Sequence, residues 1–275
     1  MLQGKKAMIT GAGHPQGIGF AIARNLAKHG AAVVITDVDA NVLAQSKEEL
    51  RKEGFEAYSS QFDVTDFEEA KKAIAQVQSE VGPIDILVNN VGGSYRISKE
   101  DMAFSHKDLK PQSFTGVVNI DTERWHQIIN VNLHSAFYVS KLLMPSMMER
   151  RYGKIINMSS IAARQGASKD EKYTSAPYSV AKAGVIALTR QMALELAEYN
   201  INVNCIAPGL IMSARGQLAK DDLEPEIYDK IMQRIPLGRV GTVQDIAEIA
   251  YCLSSDMFSY VTGQTIDVNG GTFFS

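Results

Sequence analysis

Cysteine is scarce in this chain of 275 residues, whose two cysteines are Cys205 and Cys252. Each lies in an apolar stretch, so we expect two buried thiols rather than a disulfide or a metal site. An excess of one charge is also missing, because 28 Lys and Arg residues nearly balance 31 Asp and Glu residues, for a net charge of -3. The charges are dispersed, and nothing in them predicts binding to nucleic acid or to an anionic membrane.

Long apolar runs are missing too. A membrane-spanning helix needs roughly 18 or more apolar residues in succession, and no run approaches that length. The segment 1–10 carries two lysines and then a short apolar run that ends at glycines, without the core of a signal peptide. We therefore expect a cytoplasmic protein, with no membrane association, whose partners are small molecules and copies of itself.

What the chain does contain is a regular alternation of short apolar runs and amphipathic segments, and 45% of its residues are hydrophobic. Such alternation implies a parallel sheet covered by helices on both faces. We predict an α/β fold of the Rossmann type, a doubly wound parallel sheet of about seven strands, in a single domain over 1–275. The predicted strands are 5–10, 32–36, 57–62, 84–88, 153–158, 200–206 and 265–268, and the main helices are 20–29, 41–53, 66–81, 122–148, 175–198 and 242–254.

A glycine-rich turn follows the first predicted strand. Gly11 and the run Gly17, Ile18 and Gly19 lead into a helix, and only glycine lets backbone N–H groups and a helix N-terminus approach a pyrophosphate closely. The second strand ends at Asp37, whose carboxylate can accept hydrogen bonds from both ribose hydroxyls of an adenosine and would repel a 2′-phosphate. This pattern predicts a dinucleotide site that takes NAD in preference to NADP.

Two further strands end in polar residues. Asp63 and Val64 follow the third strand, and Asp63 could accept a hydrogen bond from the adenine amine or serve as an ordinary turn or helix-capping residue. Asn89 and Asn90 follow the fourth strand, where their amides can tie neighbouring strands together. Gly92 then leaves room for a ribose or a nicotinamide. Ligands of such sheets bind beyond the carboxyl ends of the strands, so we assign these positions to the cofactor site.

Tyr178 and Lys182 are four residues apart in a segment that is predicted to be helical. At that spacing both side chains leave the same helix face, one turn apart. A phenol with a pKa of about 10 is a poor base at neutral pH, but a neighbouring cation favours the phenolate. The pair therefore predicts an acid/base group.

These residues resemble, in type and in order, the motifs of the short-chain dehydrogenase/reductase family, and the resemblance spans nearly the whole chain. The positions that carry it are Thr10-Gly11, Gly17-Ile18-Gly19, Asp37, Asn89-Asn90-Val91-Gly92, Asn132, Ser159-Ser160, Tyr178 with Lys182, Pro208-Gly209 and Gly270-Gly271.

The resemblance implies a catalytic set for interconverting a secondary alcohol and its ketone. Tyr178 would exchange the hydroxyl proton while hydride moves between the carbon and the cofactor, and Lys182 would also hold the ribose hydroxyls. Ser160, rather than Ser159, would hydrogen-bond the substrate oxygen and stabilise its developing negative charge. A mid-helix Asn usually points at solvent, but the resemblance implies that Asn132 would hold a water next to Lys182.

The resemblance also implies contacts with the nicotinamide and a lid. Pro208 and Gly209 would form a turn against the carboxamide, together with the backbone of Ile211 and the hydroxyl of Ser213, which stands where the family usually has threonine. The segment from about 210 to 236 would be a mobile lid that excludes water. The long helices at 122–148 and 175–198 resemble the shared interface of relatives that are mostly tetramers, so we expect a homotetramer.

Three segments depart from the usual pattern. Five residues, 12–16, separate Gly11 from Gly17 where the family has three, and none of them is a lysine or arginine that would favour NADP. Residues 92–120 form either a surface insertion or a wall of the substrate pocket, whose best candidates are Gly93, Ser94 and Tyr95. The charged segment 161–177 is either a solvated loop or part of that pocket.

The leading hypothesis is therefore an NAD-dependent oxidoreductase that acts on a secondary alcohol or the matching ketone. A reductase of 3-oxoacyl thioesters carries the same motifs, and an NADPH preference would favour it. A non-catalytic NAD-binding scaffold is the third alternative, although it would have no need of all four catalytic residues. The substrate cannot be deduced from the fold or from the cofactor site.

Overall fold

Seven parallel strands form one twisted sheet in this computed structural model, which describes residues 1–93, 117–165, 176–214, 216–217 and 225–274. The strands of this sheet are β1 Lys6–Thr10, β2 Ala32–Asp37, β3 Ala57–Gln61, β4 Ile86–Asn89, β5 Gly153–Met158, β6 Ile201–Pro208 and β9 Thr265–Val268. Their order in the sheet is β3-β2-β1-β4-β5-β6-β9, so the chain returns past β1 after β3 and adds β4 on its other side. The predicted Rossmann-type sheet of seven strands is confirmed.

Helices cover both faces of the sheet. Their bounds are α1 Ile18–Lys28, α2 Ala40–Lys52, α3 Phe67–Glu80, α4 Thr122–Ile129, α5 Ser135–Arg150, α6 Ala176–Leu196, α7 Pro225–Gln233 and α8 Val243–Ser254. One apolar core joins α1, α2 and α8 to the sheet, and a second core joins α3, α5 and α6 to the opposite face. The helices therefore follow the doubly wound arrangement that was predicted.

The strands are buried on both faces, as their unbroken apolar sequences require. Ile9 of β1 and Ile35 of β2 pack in the first core, whereas Met8 and Val34 pack in the second, and all four side chains are fully buried. Successive residues of a strand point to opposite faces, and burying each such side chain contributes roughly 1.5–3 kcal/mol. The central strands thus form a rigid platform under the residues at their ends.

Two features differ from the sequence-based expectations. The predicted helix 122–148 is interrupted by a π-helical turn at Asn130–His134, which separates α4 from α5. A separate short parallel pair, β7 Ile211–Met212 with β8 Gly241–Thr242, lies between β6 and β9 in the chain and was not predicted. Ala214 is helical and α7 begins at Pro225, while most of 215–224 lies outside the described residues.

No helix in the described part of the chain is long and apolar enough to cross a membrane.

Candidate active site

The carboxyl ends of four adjacent strands bring the predicted site residues together. β1, β4, β5 and β6 lie side by side and parallel. The glycine turn, the segment after Asn89, the serine pair after Met158 and the turn after Pro208 therefore leave the sheet at one edge. That edge is where ligands bind in open α/β sheets.

The glycine turn is packed so closely that side chains are excluded. Gly11 has φ of +64°, and a Cβ atom built there would lie 2.9 Å from Val91 Cγ2. A Cβ at Gly19 would lie 2.5 Å from Asn90 Nδ2 and 2.6 Å from the Gly11 carbonyl oxygen. Glycine at both positions lets the backbone of β1, the start of α1 and the end of β4 meet.

The lengthened part of the turn folds on itself. Gly17 N donates to His14 O at 2.8 Å, and Gln16 N donates to His14 Nδ1 at 3.1 Å. The additional residues therefore form a tight loop, and α1 still begins immediately after Gly17. No side chain caps this helix end and no acidic residue lies in its first turn, so its N-terminal N–H groups suit an anion such as a pyrophosphate.

Asp37 is half-buried at the end of β2, beside the glycine turn. Its Oδ2 accepts from Gly13 N at 3.0 Å, and its Oδ1 accepts from Val38 N at 2.8 Å. These backbone bonds fix the direction of the carboxylate. Because a carboxylate oxygen can accept two hydrogen bonds, Oδ2 keeps capacity for a ribose hydroxyl.

Asp63 has the turn role that was one of its two predicted alternatives. Its Oδ1 accepts from Thr65 N at 2.8 Å and from Thr65 Oγ1 at 2.6 Å. Val64 is 4% exposed and packs in the second core. The adenine contact predicted for Asp63 and Val64 stays a prediction.

Asn89 and Asn90 tie neighbouring strands together, as predicted. Asn89 Nδ2 donates to Asn157 Oδ1 of β5 at 2.8 Å and to Ser140 Oγ of α5 at 2.9 Å. Asn90 Nδ2 donates to the carbonyl oxygens of Thr10 and Gly11, each at 3.0 Å. These bonds hold the ends of β1, β4 and β5 in a fixed arrangement.

Asn132 is buried and holds the loop after β4, instead of pointing at solvent. Its Oδ1 accepts from Gly93 N at 2.9 Å, while its Nδ2 donates to Gly93 O at 2.9 Å and to Ile128 O at 2.8 Å. A Cβ at Gly92 would lie 2.6 Å from both Asn132 Oδ1 and Lys182 Nζ. The π-helical turn thus places Asn132 beside Gly92 and the lysine, and π-turns of this kind are frequent at functional sites.

The two serines after β5 have different environments. Ser159 is 4% exposed, and its Oγ donates to Lys182 O at 2.8 Å. Ser160 is half-buried, and its Oγ accepts from Ala162 N at 3.2 Å at the start of a short 3-10 turn, Ile161–Ala163. An oxygen that accepts this bond can still donate its own proton, which fits the choice of Ser160 as the substrate-facing residue.

Tyr178 and Lys182 lie one turn apart in α6, as their spacing predicted. Lys182 is 3% exposed, its Nζ donates to Met158 O at 2.8 Å, and the same Nζ lies 5.8 Å from the centre of the Tyr178 ring. Tyr178 is half-buried. A buried ammonium close to a phenol stabilises the phenolate form by its charge.

Cys205 is fully buried nearby in β6, and Cys252 is partly buried. Burial raises the pKa of Cys205 to about 11, even though the Lys182 cation acts in the opposite direction. Cys205 therefore remains a neutral thiol at physiological pH and packs as an apolar side chain.

The turn after β6 closes the edge of the site. Gly209 N donates to Val268 O at 2.9 Å, and a Cβ at Gly209 would lie 2.8 Å from Asn269 Cα. Ser213 N donates to Ile211 O at 2.9 Å, and Ser213 Oγ accepts from Gly216 N at 3.2 Å. Pro208, Ile211 and Ser213 thus stand near the predicted nicotinamide side, on a turn held to β9.

The substrate candidates Ser94 and Tyr95 lie outside the described residues, as do 166–175 of the charged segment. Gly93 is described, and Asn132 holds it at the edge of the site. The sequence did not predict the π-helical turn or two contacts near the site: the bond from Ala214 N to Gln16 O at 3.1 Å and the ion pair between Arg164 and Asp267. The glycine and hydroxyl motifs of the sequence do not predict the π-helical turn or either contact.

The residues present fit a nicotinamide dinucleotide. The glycine turn would hold the pyrophosphate at the start of α1, and Asp37 would hold the adenosine ribose. Gly92 lets Lys182 Nζ and Asn132 Oδ1 approach the backbone at this edge, where a Cβ would collide with both. Among the described residues, no group of three or more His, Cys, Asp or Glu side chains could hold a metal ion.

A family model described as Enoyl-(Acyl carrier protein) reductase matches residues 11–272. The chain belongs to the short-chain dehydrogenase/reductase family. It is therefore an oxidoreductase of the short-chain type, which confirms the family resemblance of the sequence motifs.

The chain is similar to family members of two kinds, 3-oxoacyl-[acyl-carrier-protein] reductases and a gluconate 5-dehydrogenase. The chain is 36% identical over 270 residues to a 3-oxoacyl-[acyl-carrier-protein] reductase of Staphylococcus epidermidis, covering 98% of this chain and 99% of the relative. It resembles the crystal structure of a gluconate 5-dehydrogenase from Burkholderia cenocepacia in complex with NADP and tartrate, with a TM-score of 0.85, 34% identity and coverage of 98% and 96%. A 3-oxoacyl-[acyl-carrier protein] reductase with bound NAD from Brucella melitensis gives a TM-score of 0.84, 30% identity and coverage of 99% and 92%.

Proposed function

We propose that this protein uses NAD to interconvert a secondary alcohol and its ketone, with Tyr178, Lys182, Ser160 and Asn132 as the catalytic set. The observation that carries the proposal is the position of Lys182. Its buried Nζ lies 5.8 Å from the Tyr178 ring and beside Gly92, at the carboxyl edge of the sheet. Only glycine at position 92 permits this placement, because a Cβ there would lie 2.6 Å from Lys182 Nζ.

Each residue has a distinct role in the proposed reaction. The bound nicotinamide supplies the group that accepts or gives hydride. Tyr178 exchanges a proton with the substrate oxygen, and Lys182 stabilises the phenolate by its charge. Ser160 donates its hydroxyl to the substrate oxygen, where negative charge develops. Asn132 fixes Gly93 and the loop beside Lys182.

The preference for NAD rests on Asp37. Its carboxylate is held by Gly13 N and Val38 N at the end of β2, where a 2′-phosphate would meet a fixed negative charge. The two solved relatives contain NADP in one case and NAD in the other, so the relatives leave the choice open. We expect Asp37→Asn to weaken NAD binding about tenfold and to improve the relative affinity for NADP.

A substrate panel tests the proposed activity directly. Purified protein is mixed with NAD or NADP and with polyols, sugar acids, cyclic alcohols and 3-hydroxyacyl thioesters, and reduced nicotinamide is followed by absorbance. Turnover of sugar acids would favour a gluconate 5-dehydrogenase-like activity, and turnover of thioesters with NADPH would favour the acyl-carrier-protein alternative. Silence of every substrate with both cofactors would contradict the proposal and favour the NAD-binding scaffold.

The expected homotetramer and cytoplasmic location are part of the proposal. On α6, Val180 is 50% exposed and Leu194 is 77% exposed, and Phe137 of α5 is 39% exposed. Exposed apolar side chains on long helices are typical of an interface between subunits. Light scattering on the purified protein measures the state, and a monomer at micromolar concentration would contradict the tetramer.

A further inference from the structure

An ion pair connects the turn after Ser160 to the last strand of the sheet. Arg164 ends the 3-10 turn that starts at Ser160, and Asp267 lies in β9. Arg164 Nε donates to Asp267 Oδ1 at 3.2 Å, and Arg164 Nη2 donates to Asp267 Oδ2 at 3.1 Å. Two parallel bonds between a guanidinium and a carboxylate fix direction as well as distance.

The pair is shielded from water. The side chains of Arg164 and Asp267 are 14% and 12% exposed, and the guanidinium carbon lies 5.9 Å from the centre of the Phe273 ring. Screening by salt is weaker at such sites than at the surface. The backbone of Asp267 is fixed, because it lies opposite Ala207 in the ladder between β6 and β9.

The turn that carries Ser160 therefore has an anchor at each end. At its start, Ser159 N donates to Ile206 O at 2.7 Å and Ser159 Oγ donates to Lys182 O at 2.8 Å. At its end stands the Arg164 ion pair. Between them, the backbone makes a single tight turn in which Ala163 N donates to Ser160 O at 3.0 Å.

We propose that Arg164 and Asp267 are positioning residues, which hold the turn so that the Ser160 hydroxyl faces the substrate oxygen beside Tyr178. This inference rests on the proposed function. Ala162 is buried and Ala163 packs against Val185 and Ile186 of α6, but apolar packing does not fix direction as two parallel hydrogen bonds do. Without the ion pair, the end of the turn can shift and displace the Ser160 hydroxyl. A displacement of about 1 Å at a reacting centre can lower a rate by about 10²-fold.

The test uses substitutions that keep the size of each side chain. Asp267→Asn and Arg164→Lys are each expected to lower kcat about 10- to 100-fold, with a KM and a dissociation constant for NADH that change less than about threefold. The double variant should lose little more than either single variant, because both break the same contact. Arg164→Met, which cannot donate any hydrogen bond, should lose more activity than Arg164→Lys.

Arg150→Met is the matched control. Arg150 also forms a partly buried ion pair, with Asp85 at 2.5 Å, but at the amino ends of the strands. It should lower thermal stability about as much as Arg164→Met does and leave kcat of the folded protein unchanged. Normal kcat in both Asp267→Asn and Arg164→Lys, or additive losses in the double variant, would overturn the positioning role.

A second measurement does not depend on turnover. Hydrogen exchange of peptides that cover 160–164 should be faster in Asp267→Asn than in the wild type, and unchanged in Arg150→Met. If the wild type oxidises no substrate, the proposed function fails and this exchange decides the role of the ion pair alone. Exchange at 160–164 equal to that of the wild type would overturn it.

Discussion

The two edges of the sheet each hold a buried lysine, one in the proposed reaction site and the other in a structural cluster. Lys182 at the carboxyl edge and Lys154 in β5 are both 3% exposed. Lys154 Nζ donates to Asn202 Oδ1 at 2.7 Å and lies 3.8 Å from Asp256. Lys182 Nζ donates to Met158 O at 2.8 Å and lies against Gly92, where a Cβ would be 2.6 Å away. Each lysine also has a phenol ring near its Nζ, Tyr178 at 5.8 Å from Lys182 and Tyr152 at 5.9 Å from Lys154.

At the amino edge, charged side chains form hydrogen bonds with one another and with the backbone. Asp85 Oδ2 accepts from Lys6 N at 3.0 Å, its Oδ1 accepts from Arg150 Nη1 at 2.5 Å, and Arg150 Nη2 donates to Ile84 O at 2.6 Å. These bonds join β1, β4 and α5, because the Asp85 carboxylate and the Arg150 guanidinium bind each other and nearby backbone groups. A buried charge beside a phenol therefore does not by itself mark a catalytic site. The proposed site is the one at the carboxyl ends of the strands, where ligands bind in open α/β sheets.

The strongest test of this contrast is Tyr178→Phe. The change removes the phenolic oxygen and keeps the ring against Lys182, so we expect kcat to fall about 10²- to 10⁴-fold, the range for general acid/base catalysis. NADH binding, measured by fluorescence, and the thermal midpoint should remain near the wild-type values. Turnover close to that of the wild type would remove Tyr178 from the catalytic set.

The next test compares the two adjacent serines. Ser160→Ala should lower kcat about 10²- to 10³-fold, as loss of a single donor to a developing oxyanion does. Ser159→Ala removes the buried bond to Lys182 O and should cost about 1 kcal/mol of unfolding free energy. Steady-state kinetics and urea unfolding of both variants measure the two effects. The reverse pattern would assign the substrate contact to Ser159.

Arg150→Met tests the amino edge. It leaves the Asp85 carboxylate partly buried without its guanidinium partner, so we expect a loss of about 2 to 3 kcal/mol of unfolding free energy, less than for a fully buried pair. The kinetics of the folded protein should not change. A large fall in kcat at unchanged stability would mean that the two edges are not functionally separate.

The sequence predicted the sheet and the residues at its carboxyl edge for a physical reason. Strand alternation fixes which strand ends share an edge, so it places Asn90 and Ser160 near one another. Lys182 lies in a helix, and only the family resemblance added it to this group. Their individual contacts were less accessible. Asn132, for example, holds Gly93 through its side chain, and that contact depends on a π-helical turn which leaves no trace in the apolar periodicity of 122–148.

Long-range polar contacts were the other limit. Arg164 stands in a charged segment that was assigned either to solvent or to the substrate pocket, and its partner Asp267 lies 103 positions away in β9. A single charged residue in a strand gives no information about which loop it meets. The β7–β8 pair has only two residues in each strand, too few for an alternating pattern to be visible.

Lys154→Met removes the buried lysine of the amino edge, and we expect the smallest effect on the free energy of unfolding from this change. Burial lowers the pKa of the Lys154 ammonium from its usual 10.5, so the unfolded chain binds more protons in the alkaline range and wild-type stability rises with pH there. At neutral pH the lost bond to Asn202 and the relieved desolvation oppose each other, leaving a difference below about 1 kcal/mol. Urea unfolding at a series of pH values should show this difference moving in favour of the wild type as the pH rises toward 10.5. A difference in unfolding free energy that does not change with pH would mean that burial does not lower the pKa of Lys154.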